Sequence, residues 1–451
     1  MIQLSLPQIA TILELSSPPS SASCHGISID TRTLQPGNLF IAITGEHHDG
    51  HAFIEDARQK GAIAAIVSRQ IDSPLTQLVV ADTTAALGQI ATAWRHQFNI
   101  PIIAVTGSNG KTTLKNMLAA ILGAACHGDN TRVLATQGTL NNHWGLPLTL
   151  AALNATHRYA VIEMGMNHFG EIDYLTKLTQ PHVAVITNAA ACHLEGVGNI
   201  AGVARAKAEI FAGLNKNGIA ILNRDDDFFA YWQKIIANKT CLTFGFHPEA
   251  DVRATLQETA LTPCMTLHTP KGEVHLQLPL LGKHNVLNAL AATAAALAID
   301  IPLAAIKAGL ESIQPAPGRL QLHTLNNGVK IIDDTYNANP FSLQAAVNTL
   351  ANFAGKKILV LGDMKELGPE AKSIHQAMAE AIRQAGIDFL FTYGELSATT
   401  AQAFGEGAYH FSEQEKLVNA LKPFLYNQTT ILIKGSRSMK MEKVIAGLMG
   451  T

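Results

Sequence analysis

The sequence predicts an α/β protein built from three domains, and three observations lead to that prediction. The chain has 451 residues, which at roughly 150 residues per domain suggests about three hydrophobic cores. Short apolar runs rich in β-branched residues alternate with helical segments along most of its length. Breaks at 99-NIP-101 and 314-QPAPGR-319 then divide the chain into domains at 1–97, 98–314 and 315–451.

The small N-terminal α/β domain is expected to alternate short strands with helices. Its elements are predicted at residues 37–43 (turn and strand), 53–61 (helix), 62–67 (strand) and 85–98 (helix). Between them, 28-SIDTR-32 and 45-GEHHDGH-51 combine glycine with polar side chains, as an anion-binding loop would. Because no Cys or carboxylate stands near His47, His48 and His51 at ligand spacing, solvent-facing histidines are favoured over a metal site.

The stretch 102-IIAVTGSNGKTTLKNML-118 predicts a phosphate-binding loop at the start of the central domain. An apolar strand at 102–105 leads into a glycine-rich turn, and a helix follows at 112–122. Lys111 can reach the β- and γ-phosphates of a nucleotide, and the Thr112 hydroxyl can hold Mg²⁺. The general pattern has glycine where this chain has Val105, so a turn that merely caps a helix is the alternative.

The rest of the central domain is predicted to form a mostly parallel sheet of the phosphate-loop ATPase type, covered on both faces. Its further strands are expected at residues 160–163, 183–187 and 219–222. Residues 241–278 carry short alternating patterns and predict an antiparallel side sheet. The longest apolar stretch, 289–299, is about half a membrane span, so it predicts a packed helix within 285–298 and no membrane insertion.

The C-terminal domain is predicted to be a second open α/β fold, Rossmann-like and smaller than the central one. Its strands are expected at residues 329–332, 357–361, 389–393 and 430–433, with helices between them.

Composition narrows the class of protein. With 33 Lys+Arg against 35 Asp+Glu the chain is nearly neutral and has no basic stripe, which argues against nucleic acid as a partner. Its five cysteines are scattered without a C-x-x-C pair, and the first basic residue is Arg32, so no secretory segment is expected. These features are typical of a cytoplasmic protein with reduced thiols.

Three polar residues of the central domain are candidates for chemistry. Glu163 ends a predicted strand, where a carboxylate can make a second Mg²⁺ contact or be an ordinary strand-end acid. His193 and Lys207 are each more often structural or solvated when considered alone. On the helix in 282-GKHNVLNALAA-292, Asn285 and Asn288 share one face and suit an adenine edge, although Asn285 could instead cap the helix.

The C-terminal domain offers two further clusters. Arg319 and the segment 333-DDTYNANP-340 could close over a nucleotide. In 434-KGSRSMKME-442, a cationic and hydroxyl-bearing loop precedes a helix, which suits a substrate carboxylate.

Taken in order, the segments TGSNGKTT, EMG, GKHNVLNALAA, PGR, DDTYNANP and KGSRSMKME resemble the Mur ligase family of peptidoglycan synthesis over nearly the whole chain. The family's own loop pattern, TG-x-x-GKT, accommodates Val105. Three further stretches resemble the branch that adds D-alanyl-D-alanine to UDP-MurNAc-tripeptide: SIDTR with FIAITGEHHDGH, TLNNHWGLPLTL, and DDTYNANP with LGDMKELG.

The resemblance implies an ATP-dependent ligase. The tripeptide carboxylate would attack the γ-phosphate to give an acyl phosphate, and the amine of D-Ala-D-Ala would displace phosphate from it. A monomer is expected. Because the ligand contacts belong to different domains, closure is expected about the joints near 98 and 315, and these residues can stand far apart without ligands.

The resemblance also assigns roles to residues. The expected catalytic set is Lys111, Glu163, His193 and Lys207. The ATP contacts are Gly107, Ser108, Asn109, Gly110, Lys111, Thr112, Thr113, Asn288, Arg319 and Asp334. The ligands for Mg²⁺, expected as two ions, are Thr112, Glu163, His193 and Lys207, the last as a carbamate formed with CO2. The UDP portion would contact Thr31, Arg32, Gly45, Asp49, Gly50 and His51, and the peptide would contact Asn141 and Asn142. The D-Ala-D-Ala contacts would be Tyr336, Asn337, Asn339, Ser436 and Arg437.

Three other functions share parts of this pattern. A sister ligase that adds a single amino acid, or a folylpolyglutamate synthase-like enzyme, would use the same loop and lysine. A small-molecule kinase would release a phosphorylated product. A nucleotide-gated binding protein would lack turnover, and the joint presence of Thr112, Glu163, His193 and Lys207 disfavours it.

Overall fold

The structure, a computed structural model, describes residues 1–18, 20–46, 48–257 and 262–450. His47 and part of the predicted side sheet therefore lie outside the described residues. Within them the strands form sheets that follow one another along the chain in three α/β units, as the sequence predicts. The domain boundaries themselves remain a prediction.

The first unit contains a parallel sheet with strand order β3-β4-β5-β6 and a separate antiparallel pair of strands, β1 and β2. Its strands are β1 (Gln3–Ser5), β2 (Ser23–His25), β3 (Ile27–Ser28), β4 (Leu39–Ile41), β5 (Ala64–Val67) and β6 (Gln77–Val79), and its helices are α1 (Leu6–Ile12), α2 (Ile54–Gln59) and α3 (Thr83–Arg95). Asp82 caps α3 by accepting from the backbone of Thr84 and Ala85.

The second unit is organised by a parallel sheet of order β12-β11-β10-β7-β9-β8 in the described residues. These strands are β7 (Ile102–Thr106), β8 (Val133–Ala135), β9 (Tyr159–Glu163), β10 (Val183–Ile186), β11 (Ile219–Asn223) and β12 (Thr240–Phe244). The helices are α4 (Lys111–Ala125), α5 (Gly145–Ala151), α6 (Glu171–Thr179), α7 (Leu194–Val197), α8 (Ile200–Ala208), α9 (Phe229–Ile236), α10 (Lys283–Leu297) and α11 (Leu303–Ser312).

Alternate residues of β7 enter two different cores. Ile102 and Ala104 pack with residues of α5, α6 and α8, whereas Ile103 and Val105 pack with α4, α10 and α11. The sheet is thus covered on both faces, which explains the nearly continuous apolar sequence of its strands.

The predicted side sheet begins later than expected. Residues 240–244 form β12, which pairs in parallel with β11 and belongs to the central sheet. The antiparallel side sheet consists of β13 (Arg253–Gln257), β14 (Cys264–Thr269) and β15 (Gly272–Gln277). The prediction of residues 241–278 as one side sheet was therefore wrong at its start, because β12 is an edge strand that begins with an exposed Thr240 and two half-buried residues.

The third unit is an open sheet of order β16-β17-β21-β18-β19-β20 in the described residues, parallel except for β16. Its strands are β16 (Gln321–Thr324), β17 (Lys330–Asp334), β18 (Lys356–Gly362), β19 (Phe389–Tyr393), β20 (Ala408–Phe411) and β21 (Thr429–Lys434). Its helices are α12 (Pro340–Ala351), α13 (Ala371–Gln384), α14 (Ser397–Phe404), α15 (Gln414–Leu421) and α16 (Glu442–Met449). The sequence analysis missed β16 and β20, both of which are short, half-exposed edge strands.

The described helices include none that combines the length and hydropathy needed to cross a membrane. The apolar stretch 289–299 instead lies mostly in α10, whose alanines are buried against the central sheet.

Candidate nucleotide and ligase site

A cavity of about 450 Å³ lies where the carboxyl end of the central sheet faces the third unit. The second unit contributes the turn after β7 and the ends of β9 and β11 to its lining, and the third unit contributes the turns after β17 and β18. Ligands of open parallel sheets bind at this end of the strands, so the cavity stands where the fold class predicts a site.

The turn after β7 requires glycine at two positions. Gly107 has φ +149° and a Cβ there would meet the Thr187 hydroxyl at 1.8 Å, while Gly110 has φ +84° and its Cβ would meet the Asn288 side-chain oxygen at 2.3 Å. Val105 is still inside β7 and fully buried, so this loop needs no glycine at that position. The departure from the general loop pattern has a structural cause.

Helix α4 begins at Lys111 with Gly110 as its N-cap and no side chain accepting from its first amides. Those amides and the positive end of the helix dipole are therefore available to an anion. Lys111 folds back on the loop and donates to the Gly107 carbonyl at 2.7 Å, and burial lowers the pKa of its ammonium. An entering phosphate offers this cation a stronger acceptor than a neutral carbonyl.

Glu163, at the end of β9, is 2% exposed, and its two carboxylate oxygens have different surroundings. Its Oε1 accepts from Asn141 at 2.8 Å, while its Oε2 is buried and has no hydrogen-bond partner among the described residues. A buried, unpaired carboxylate oxygen is costly unless a cation or donor completes it. Hard cations prefer carboxylate and hydroxyl oxygens, so Glu163 and the cavity-lining Thr112 fit Mg²⁺.

Lys207, near the end of α8, is 2% exposed and lines the same cavity. Its ammonium has no hydrogen-bond or ion-pair partner in the part of the chain that the structure describes. Burial lowers its pKa to about 7, and the nearby Lys111 acts in the same direction. A lysine in this state carries a large fraction of neutral, nucleophilic amine at neutral pH.

His193 lies in a left-handed backbone conformation with φ +53° at the start of α7. Its Nδ1 is 3.2 Å from Oε2 of Glu366, a residue of the third unit that the sequence analysis did not single out. Hydrogen bonding to His193 lowers the pKa of the Glu366 carboxyl.

Two side chains of the third unit reach the phosphate loop. Arg319 donates to the Thr112 hydroxyl at 3.1 Å and stacks on the Tyr336 ring, with its guanidinium carbon 4.0 Å from the ring centre. Asn339, the N-cap of α12, donates to the Asn109 side chain at 2.9 Å. Tyr336 and Asn339 therefore contact residues that are predicted to bind ATP, namely Arg319 and Asn109. The sequence predicts that both contact D-Ala-D-Ala.

Asp334 lines the cavity, but its carboxylate is engaged internally. Lys434 donates to it at 2.5 Å and to the Asn337 carbonyl at 2.9 Å, and the Leu320 amide donates to its other oxygen. Both charged groups are largely buried, and the pair fixes the turn after β17. His284 stands close to both, and burial lowers its pKa to about 4.

The two asparagines of α10 are buried and bonded to each other. Asn288 donates to Asn285 at 3.1 Å, and Asn285 donates to the Leu281 carbonyl. Asn285 does not cap the helix, whose N-cap is Gly282. The Asn288 oxygen lies beside Gly110, so this side chain lines the cavity next to the phosphate loop.

The residues assigned to UDP lie outside this cavity, in the first unit. His51 is buried, with Nδ1 2.6 Å from Asp49, and its Nε2 accepts from the Ser68 amide. Asp49 also pairs with Arg69, so both side chains brace the loop. Arg32 is exposed and paired only with Asp30.

The loop at 45–51 nevertheless approaches the second unit. A Cβ on Gly45 would lie 3.4 Å from the Trp144 ring, and Trp144 donates to Thr84. Gly50 is pressed against the Ile43 backbone and tolerates no side chain.

The structure describes five other residues for which the sequence predicts ligand contacts. Asn141 lines the cavity but holds Glu163, and Asn142 accepts from the amides that begin α5. Ser436 is buried outside the cavity lining and accepts from the Lys365 amide, while Arg437 is exposed and paired with Glu442. Thr31 is buried in the first unit.

Several cavity residues were missed by the sequence analysis. Those with charged or titratable side chains are Glu171, His284, Lys365, Glu366 and Cys192. His284, Lys365 and Glu366 lie inside the motifs GKHNVLNALAA and LGDMKELG, and Cys192 precedes the predicted His193, whereas Glu171 lies outside the motifs. The described residues contain no group of three or more His, Cys, Asp and Glu side chains placed to hold a metal by themselves.

Comparison with known proteins matches three family descriptions along the chain. The Mur ligase family catalytic domain matches residues 23–95, the Mur ligase middle domain matches 105–296, and the Mur ligase glutamate ligase domain matches 318–437. The chain is 44% identical to the UDP-N-acetylmuramoyl-tripeptide–D-alanyl-D-alanine ligase of Escherichia coli, over 99% of both chains. It is 37% identical to that of Bacillus subtilis, over 100% of this chain and 99% of the other.

Solved structures give the same relationship. MurF from Acinetobacter baumannii superposes with a TM-score of 0.93 and 36% identity, covering 100% of both chains. MurF ligase from Thermotoga maritima, solved in complex with ADP, has a TM-score of 0.82 and 25% identity, covering 94% of this chain and 97% of that one. The chain therefore belongs to the Mur ligase family.

Proposed function

We propose that the chain is an ATP-dependent ligase that joins D-alanyl-D-alanine to UDP-N-acetylmuramoyl-tripeptide, giving the pentapeptide, ADP and phosphate. The observation that carries the proposal is one cavity in which a phosphate loop, a half-satisfied buried carboxylate and an unpaired buried lysine meet. The full-length similarity to ligases of this name supplies the substrates.

The chemistry joins two anions before it makes an amide. A carboxylate oxygen of the tripeptide attacks the γ-phosphorus, the bond to the ADP oxygen breaks, and an acyl phosphate forms. The dipeptide amine then attacks the acyl carbon, loses a proton, and the carbon–oxygen bond to phosphate breaks. The acyl phosphate gives the carboxyl carbon a good leaving group, which a free carboxylate lacks.

The side chains of the cavity support the first step by position and charge. Lys111 exchanges the Gly107 carbonyl for a phosphate, and the free amides of α4 receive the same anion. Arg319, fixed on the Tyr336 ring, brings a second cation from the third unit. Thr112 and Glu163 would hold one Mg²⁺ ion and His193 would help to hold a second, and the bound ions would neutralise the approaching anions.

Lys207 completes this set as a carbamate. Its neutral amine would add to the carbon of CO2 and lose a proton, which replaces a cation near Lys111 with an anionic oxygen ligand. Burial, a pKa near 7 and the missing partner support the modification. We expect a carbamate ¹³C signal after incubation with ¹³CO2, absent in Lys207→Arg; its presence in that variant would contradict the assignment.

The three units would divide the substrates among them. The domain at 1–97, with Thr31, Arg32 and the loop at 45–51, would take the UDP portion. The domain at 98–314 would take ATP, and the domain at 315–451 would take D-Ala-D-Ala through its cavity-lining turns. We place the enzyme in the cytoplasm as a monomer, without nucleic-acid partners.

Phosphate release measured with and without each substrate tests the proposal. Wild type should release phosphate only when UDP-MurNAc-tripeptide, ATP and D-Ala-D-Ala are all present, and Lys111→Ala should lose this activity. Lys216→Ala, which changes an exposed lysine of the same unit, is the matched control and should behave as wild type.

Two outcomes would contradict the proposal. A stable phosphorylated product without amide would indicate a kinase. Incorporation of a single amino acid instead of the dipeptide would indicate a sister ligase or a folylpolyglutamate synthase-like enzyme.

A further inference from the structure

Glu366 occupies an unusual position for its residue type. It follows β18 in the turn 363–366 and has φ +63°, a left-handed backbone that is unfavourable for a non-glycine residue. Gly368, two residues later, has a similar φ of +68°. Glycine would adopt this backbone conformation without strain. A glutamate persists there only if surrounding contacts hold its backbone and its side chain has a role.

The turn that carries Glu366 is held at each preceding residue. The Asp363 carbonyl accepts from the Ser436 amide at 3.0 Å, and the Met364 amide donates to His375 Nε2 at 3.0 Å. The Lys365 amide donates to the Ser436 hydroxyl at 2.8 Å. These anchors hold the backbone of the turn, from which the 60% exposed Glu366 side chain extends toward the second unit.

The target of that side chain is His193 of the second unit, 3.2 Å away. His193 is itself left-handed, so two strained residues meet across the boundary between the second and third units. A carboxylate oxygen 3.2 Å from Nδ1 favours the neutral tautomer that carries its proton on Nδ1. Nε2 is then left as the nitrogen with a free lone pair.

We infer that Glu366 is a positioning residue of the ligase: it orients His193 from the opposite domain, so that the imidazole becomes a competent metal ligand only when the third unit is docked on the second. The inference rests on the proposed function. It also gives His193 a partner in the manner of carboxylate–histidine–metal arrangements, where the partner fixes the tautomer and ring orientation.

The consequence is a coupling between domain docking and metal affinity. Binding of nucleotide and metal would favour the docked state, and docking would complete the metal site. The metal site is then incomplete while the third unit is undocked. The acyl phosphate would therefore form only when the docked third unit shields it from water.

Mn²⁺ binding in the presence of a non-hydrolysable ATP analogue, followed by electron paramagnetic resonance, tests this inference without relying on turnover. Glu366→Gln should weaken Mn²⁺ binding about tenfold. Glu370→Gln, which changes an exposed glutamate four residues along the same segment, is the matched control and should bind as wild type. In a His193→Gln background, Glu366→Gln should cause no further loss, because the carboxylate acts through that histidine.

A second variant separates the contact from the fold. Glu366→Gly removes the carboxylate and accepts φ +63° without strain, so it should fold at least as well as wild type and still lose Mn²⁺ affinity. Equal Mn²⁺ affinity in Glu366→Gln and Glu370→Gln, or an equal loss with and without His193, would overturn the inference and leave the proposed function intact. Failure of wild type to bind Mn²⁺ with the nucleotide would instead overturn the proposed function, and the inference with it.

Discussion

Glu163 and Lys207 are among the most buried ionisable residues of the second unit, and neither is fully satisfied by the described part of the protein. Uncompensated buried polar groups are costly and are concentrated where a ligand completes them. The positions of both residues could be predicted from the sequence, since one ends a strand and the other matches a family segment. The absence of partners for these two side chains could not be predicted, because it depends on which groups the folded chain places around them.

Replacement of Glu163 by Gln tests the role of its unpaired oxygen. The amide keeps an oxygen for Asn141 but removes the charge, so ligase turnover should fall at least about a hundredfold. Thermal stability should be unchanged or higher, because an isolated buried carboxylate is removed. Full turnover of Glu163→Gln, measured by phosphate release, would contradict the role.

Other residues show the limit of motif-based prediction. The loop residues Asp49 and His51 are predicted to contact UDP, and in the structure their side chains bond to each other, to Arg69 and to Ser68. Ser436 likewise supports the turn that carries Glu366. A motif identifies polar residues, but whether they face a ligand or brace a loop depends on side-chain partners far apart in sequence.

At the scale of elements, the sequence predicts long buried strands better than short edge strands. β7, β9 and β10 were found within a residue or so because their apolar runs are continuous. β16 and β20 have four residues each and contain no buried position, so neither gives a continuous apolar run in the sequence. β12 was assigned to the wrong sheet because its pairing partner cannot be inferred from its own composition.

Gly110 of the phosphate loop can be tested against Gly128, which follows α4 and serves as a control. Gly110→Ala should destabilise the fold by roughly 1–2 kcal/mol through its left-handed backbone. The clash of the new Cβ with Asn288, at 2.3 Å, should add to this loss of stability and abolish nucleotide binding. Gly128→Ala has nearly the same φ, +85°, with nothing within 4 Å, so it should show the strain alone. Denaturant unfolding and calorimetric titration with an ATP analogue measure both effects; equal behaviour of the two variants would contradict the steric argument.

The turn 363–366 depends on a buried histidine at the start of α13. His375 Nε2 accepts from the Met364 amide, and burial lowers the His375 pKa below its ordinary value of 6.5. A group with a depressed folded pKa adds stability that is complete above pH 6.5 and is lost as pH falls through the folded pKa. Wild type should therefore lose more unfolding free energy than His375→Gln between pH 7 and pH 5, measured by urea titration; parallel losses would exclude this role.

At the scale of the molecule, the first and second units share one hydrophobic core. Residues of β4, β5 and α3 pack in the same cluster as residues of β7, β9 and β10. From α3, Trp94 donates to the Leu153 carbonyl and Arg95 donates to the Thr179 carbonyl. The third unit has its own clusters, which Leu281 alone joins from the second unit among the described buried residues.

These cores refine the expected domain motion. The joint near 98 crosses a continuous core and should be rigid, whereas the joint near 315 should allow closure. In the structure the third unit already contacts the phosphate loop through Arg319 and Asn339, so the expected separation of these residues is not observed. Sequence alone could place the joints but could not distinguish them, because core sharing is a tertiary property.

Spin labels carried by unnatural amino acids at the exposed positions Asp72, Lys216 and Glu406 test this difference. The distance from Asp72 to Lys216 should stay constant when an ATP analogue is added, and the distribution from Lys216 to Glu406 should narrow. A change confined to the first pair would contradict the assignment of the moving joint.

The central claim is that the tripeptide carboxylate receives the γ-phosphoryl group before the amide forms. The most direct measurement uses UDP-MurNAc-tripeptide labelled with ¹⁸O in its terminal carboxylate, with D-Ala-D-Ala and unlabelled ATP. One carboxylate oxygen bridges carbon and phosphorus in the acyl phosphate, so each released phosphate should carry one ¹⁸O by mass spectrometry. Phosphate free of ¹⁸O, released together with the pentapeptide, would contradict the account.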